Sequence, residues 1–149
     1  LLLRFLAIHA HPDDIEFQCA GTLALLKQKG HHITIATMTA GDCGSAEHSR
    51  QAIAAIRREE ARQAADLLGA DYVCLEFQDL RLVDDDSSRM RVTEVLRQVA
   101  PDAVITAPPI DYMTDHEITS KLVRQATFNA PIPNYSTQAT TPAGVIESI

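Results

Sequence analysis

The sequence predicts an α/β protein with a Rossmann-like, doubly wound, mostly parallel sheet covered by helices on both faces. Three observations carry that prediction. Short apolar runs alternate with segments of helical periodicity along the chain. The apolar runs are short, and the one at 32–39 is β-branched, as strands are. Polar, chemistry-bearing residues gather just after these runs, where open parallel sheets bind their ligands.

Each element has its own signal. RFLAIHA (4–10) is a short apolar run and a strand. EFQCAGTLALLKQKG (16–30) places Leu23, Leu26 and Lys27 at helical spacing and stops at Gly30. HITIATMT (32–39) is β-branched and apolar, a second strand, and the glycines of AGDCGS (40–45) mark a loop. RQAIAAIRREEARQAADLLGA (50–70) is the clearest helix, with an expected stripe of Ile53, Ile56, Ala64, Leu67 and Leu68 and a stop at Gly69. DYVCLEF (71–77) is a third strand, and SSRMRVTEVLRQVA (87–100) a helix ended by Pro101. DAVITA (102–107) is a fourth strand, and HEITSKLVRQATFNA (116–130) a last helix after the loop PPIDYMTD. From Pro131 the Pro/Ser/Thr-rich tail is expected to be irregular. Alternating elements of this kind imply right-handed βαβ crossovers.

The 149 residues are expected to form a single domain over 1–149. The ending GVIESI carries no capping signal, so further residues beyond Ile149 are expected to complete the fold. A net charge of −7 argues against nucleic acid or an anionic membrane as partner. No run reaches the roughly 18 apolar residues of a membrane helix. The three cysteines, an odd number without CxxC spacing, are expected to be reduced thiols in a cytoplasmic protein. The sequence leaves self-association into a homo-oligomer open.

Four loops bring polar groups to one rim. They are His11, Asp13 and Asp14 after the first strand, Gly41 and Asp42 after the second, Asp79 and Arg81 after the third, and Asp111, Asp115 and His116 after the fourth. His11, Asp14 and His116 give two imidazoles and a carboxylate, the donor set of a catalytic zinc site. Iron(II) accepts the same set. Asp13 is beside a ligand without needing to be one, which suits a general base. Asp115 could orient an imidazole. Against this stand plainer readings. Asp13 or Asp14 could cap the following helix, His9 is expected to be a packed core residue, and Arg57, Arg58 and Arg62 could form a solvated helix face with Glu59 and Glu60.

AHPDDIE, TAGDCGS, RREEARQAADLLG and DYMTDH together resemble the PIG-L/LmbE-like zinc-dependent N-deacetylases over nearly the whole chain. The resemblance implies a metal-dependent hydrolase that removes acetyl groups from N-acetylglucosamine-type amides, with an N-acetylated amino sugar as its partner. It implies His11, Asp14 and His116 as zinc ligands and Asp13 as the base. It implies Asp115 as the acidic residue of the last motif, and Arg57 and Asp79 as substrate-binding residues. The family often reads His-Pro-Asp-His where this chain has Met113-Thr114-Asp115-His116. A thioether cannot replace that first imidazole, and Tyr112 is the candidate oxyanion donor. A metal-dependent esterase or phosphoesterase, and a metal-containing sugar-binding module without turnover, remain alternatives.

Overall fold

A computed structural model describes residues 1–137. Four strands form one parallel sheet: β1 (Arg4–His9), β2 (His32–Thr39), β3 (Asp71–Phe77) and β4 (Ala103–Thr106). Four helices alternate with them: α1 (Asp14–Gln28), α2 (Arg50–Leu68), α3 (Asp86–Val99) and α4 (Thr114–Asn129). All eight sequence-derived elements are present. The expected tail is irregular as far as Thr137, and its remainder lies outside the described residues.

The sheet order is β3-β2-β1-β4. The chain therefore winds outward from β1 to β3, then crosses back to place β4 on the other side of β1. Ligands bind in such sheets at the carboxyl ends of the strands flanking this reversal. β1 is buried on both faces. Leu6 and Ile8 meet Val92 and Leu96 of α3 and Leu122 and Val123 of α4 on one side. Ala7 joins Ile15 and Leu23 of α1 and Ala65 of α2 in a second core on the other.

The expected stripe of α2 needs correction. Ile56 and Leu67 are exposed, and the inward residues are Ile53, Ala61 and Ala65. Small side chains let α2 lie close on the sheet, and a spacing of four puts Arg57 on that same inward stripe. Arg57 thus does not belong to a solvated basic face. Arg58 forks onto Glu76 of β3, and Arg62 pairs with Glu59 and Asp66.

Candidate metal centre

The loop after β1 turns sharply at Asp13, whose φ of 89° is left-handed. Asp13 occupies the N-cap position of α1 but makes no capping hydrogen bond. Its carboxylate instead lies 3.1 Å from Arg57 Nη2 and remains about half exposed. Arg57 also donates to the Pro12 carbonyl at 2.7 Å. Room for its guanidinium comes from two glycines in the β2–α2 loop. A Cβ at Gly41 or Gly44 would lie 2.5 or 2.6 Å from Arg57 Nη1.

Asp14 faces inward. Its Oδ2 accepts the His11 backbone N–H at 2.8 Å, stands 2.6 Å from His9 Nδ1 and 3.4 Å from His11 Nδ1. Its Oδ1 is 3.4 Å from His116 Nε2. Burial alone would raise the Asp14 carboxyl, but hydrogen bonds from His11 and His9 outweigh it and hold the group far below the usual carboxylate range.

Two further carboxylates fix His11. Its Nε2 donates to Asp115 Oδ2 at 3.1 Å and lies 3.0 Å from Asp79 Oδ1. Burial disfavours the charged imidazole, yet Asp14, Asp79 and Asp115 together raise its pKa above the usual histidine value. Asp115 Oδ2 also accepts the N–H of Leu80, a residue with a left-handed φ of 61°. Asp79 accepts the Cys43 N–H at 3.1 Å and is only 4% exposed. It ties the β2–α2 loop to His11.

His116 opens α4. It is 3% exposed, and neither ring nitrogen has a hydrogen-bond partner. Nδ1 is 3.2 Å from Asp111 Oδ1, off the line of a hydrogen bond, and Nε2 is turned toward Asp14. A buried imidazole unsatisfied at both nitrogens is costly unless another donor or an ion engages it. Donors about 3.3 Å apart are what a tetrahedral ion with bonds of about 2.0–2.1 Å spans. Asp14 stands at about that spacing from each imidazole, through different oxygens: Oδ2 is 3.4 Å from His11 Nδ1 and Oδ1 is 3.4 Å from His116 Nε2.

Among the described residues, the donor atoms of His9, Asp14 and His116 lie within 4.8 Å of one another, as do those of His11, Asp79 and Asp115; His11 reaches the first group through Asp14. The sequence placed His11, Asp14 and His116 at one site, and in the fold Asp14 faces both imidazoles. The fold also draws in His9, read from the sequence as a packed core residue, and Asp111, placed on the rim but given no role. His9 had a signal, since it alternates with His11 at a strand end. Tyr112 has its ring 5.6 Å from that of His116 and is 91% exposed.

This geometry sets the chain among known proteins. Residues 6–127 match the family described as GlcNAc-PI de-N-acetylase. The chain belongs to that family. Among curated members it is 28% identical over 139 residues to diacetylchitobiose deacetylase of Thermococcus kodakarensis, covering 89% of this chain and 52% of that protein. It is 27% identical over 138 residues to 4-oxalmesaconate hydratase of Pseudomonas putida, covering 87% and 54%. The solved N,N'-diacetylchitobiose deacetylase of Pyrococcus horikoshii aligns with a TM-score of 0.84 and 31% identity over 89% of this chain and 52% of that one. The chain spans about half the length of the curated relatives it matches. No helix among the described residues is long and apolar enough to cross a membrane.

Proposed function

We propose that this chain carries the metal centre and water-activating carboxylate of a hydrolase that deacetylates an N-acetylglucosamine-type amide. The observation that carries the reading is the buried, doubly unsatisfied His116 imidazole facing the carboxylate that His11 also faces. The relatives named as deacetylases of diacetylchitobiose and of N-acetyl-α-D-glucosaminyl L-malate support the substrate class.

His11 through Nδ1, Asp14 and His116 through Nε2 are the ligands. Zinc suits two imidazoles and a carboxylate, and iron(II) is the alternative. His11 is preferred over His9 because its Nε2–H is held by Asp115, which leaves Nδ1 free as a donor. Both nitrogens of His9 are already engaged, Nδ1 by the Ala10 backbone N–H and Nε2 by Gln18. A divalent ion held by this set supplies Lewis acidity toward the acyl oxygen and lowers the pKa of bound water to about 7.

The chain's own residues do the rest. As the water oxygen adds to the acyl carbon, Asp13 takes its proton. Asp13 then returns that proton to the nitrogen as the C–N bond breaks, giving acetate and a free amine. Arg57 holds the Asp13 carboxylate in place, and Asp115 holds His11. Tyr112, whose ring meets that of His116 edge to face, offers its hydroxyl to the developing oxyanion in place of the imidazole that Met113 replaces. Free Cys19, Cys43 and Cys74 fit a cytoplasmic setting.

Acetate release from a panel of N-acetylglucosaminides by the metal-loaded protein tests the reading. Release that vanishes in Asp13→Asn supports it, and no release from any of the panel overturns it. The hydratase relative favours a second reading, in which Asp13 activates water for addition to a conjugated carbon–carbon double bond. Loss of absorbance from an unsaturated dicarboxylate, with no acetate from the sugars, would select it.

A further inference from the structure

We infer that Asp42 is a positioning residue that sets the sharp turn at Asp79–Leu80, from which His11 is held; this rests on the metal reading above. Asp42 follows β2 on the rim and stands outside the ligand set. Its Oδ1 accepts the Asp79 backbone N–H at 2.8 Å. Arg50, the first residue of α2, donates to its Oδ2 through Nε at 2.8 Å, with Nη2 at 2.5 Å. A helix end thus fixes one carboxylate oxygen and leaves the other for the turn. The Asp79 side chain completes the exchange, because its Oδ2 accepts the N–H of Cys43, the next residue after Asp42. Two hydrogen bonds therefore latch the β2–α2 loop to the β3–α3 loop. The far side of His11 hangs on that latch. Asp79 Oδ1 is 3.0 Å from His11 Nε2. Asp115 Oδ2, 3.1 Å from the same nitrogen, also accepts the Leu80 N–H at 2.8 Å. Both carboxylates that face His11 Nε2 are thus tied to residues 79 and 80. Leu80 keeps its left-handed φ of 61° without being glycine. Such a backbone persists where its surroundings over-determine it. Asp42 supplies that restraint on the residue immediately before it, and Asp115 supplies it on Leu80 itself.

Two substitutions separate the latch from a general loss of structure. Asp42→Ala removes the acceptor for the Asp79 N–H, whereas Asp42→Asn keeps an oxygen there. Zinc affinity, measured by competition with a chromophoric chelator, should fall roughly tenfold in Asp42→Ala. Asp42→Asn should recover most of it. Asp79→Ala should lose roughly 10–100-fold, and adding Asp42→Ala to it should cost little more, since both act through the same contact. Unchanged affinity in Asp42→Ala, equal loss in Asp42→Asn, or losses that add in the double variant would overturn the inference. A further arm needs no metal. Amide hydrogen exchange of the metal-free protein should find the Leu80 N–H roughly tenfold faster or more in Asp42→Ala, with the β1 amides unchanged. The Leu80 N–H donates to Asp115 and not to Asp42, so an unaltered Leu80 rate would mean that Asp42 does not set the turn. If Asp42→Ala does not fold, Arg50→Leu carries this arm, because it frees the Asp42 carboxylate to turn away. The Leu80 amide should again exchange faster, and an unaltered rate would overturn the inference. A wild type that binds no zinc would remove the metal reading, while exchange at Leu80 would still decide the latch.

Discussion

Replacing Gly41 with alanine perturbs the site through one side chain. Gly41 has a φ of 66°, and its added Cβ would stand 2.5 Å from Arg57 Nη1. A left-handed alanine costs about 1–2 kcal/mol. Expelling Arg57 removes its charged hydrogen bond to the Pro12 carbonyl, about 1.5–3 kcal/mol. It also removes the pair with the half-exposed Asp13, about 0–1 kcal/mol. Gly41→Ala should therefore cost about 2.5–6 kcal/mol by these figures. At about 2–4 °C per kcal/mol for a chain of this size, the melting temperature should fall by at least about 5 °C. In an Arg57→Ala background only the backbone part remains. Thermal denaturation of wild type, both single variants and the double variant closes the cycle. Gly44→Ala is the control, because its Cβ also meets Arg57 Nη1, at 2.6 Å, but without a left-handed backbone. It should lose the Arg57 part alone. If Gly41→Ala cost the same with and without Arg57, the glycines would not be making room for that guanidinium.

The neighbouring aspartates should separate cleanly. Asp13→Asn should keep its metal and lose roughly 10²–10⁴ in rate, while Asp14→Asn should lose metal on dialysis. Equal metal loss in both would contradict the division of roles. Tyr112→Phe should lower kcat by about tenfold or more, whereas Met113→Ala should change it little; the reverse order would remove Tyr112 from the oxyanion. In metal-free protein the raised His11 pKa adds stability that is fully present below its ordinary value of 6.5 and lost as pH rises through the elevated one. The depressed Asp14 carboxyl adds stability present above the ordinary carboxylate range and lost as pH falls. A melting temperature that declines as pH rises past the ordinary histidine value in metal-free wild type, but not in His11→Asn, is the expected pattern.

Much of the architecture was legible because strand and helix periods differ and each helix ends on a readable signal. Gly69 sits left-handed after α2, and Pro101 follows α3. The rim was legible too, because a parallel sheet sends every loop after a strand to one edge. The buried face of α2 was not. Hydrophobicity alone favoured Ile56 and Leu67, whereas close helix-to-sheet packing selected Ala61 and Ala65. Arg57 followed from the same error, since its inward direction depends on which stripe is buried. Asp79 was placed on the right loop, but nothing local told whether its carboxylate faced solvent or His11; the Cys43 amide, 36 residues away in sequence, decides that. His9 was read as core from its strand position, and its burial agrees. Its polar contacts depend on the turn at Asp13, a left-handed residue without glycine, which no pattern announced.

The central claim is that His11, Asp14 and His116 hold one divalent ion. Elemental analysis of the purified protein, with His116→Ala prepared alongside, tests it most directly. About one equivalent of zinc or iron in wild type, and little in the variant, is the result expected. A wild type without bound metal, or a His116→Ala protein that retains its full equivalent, would contradict the account.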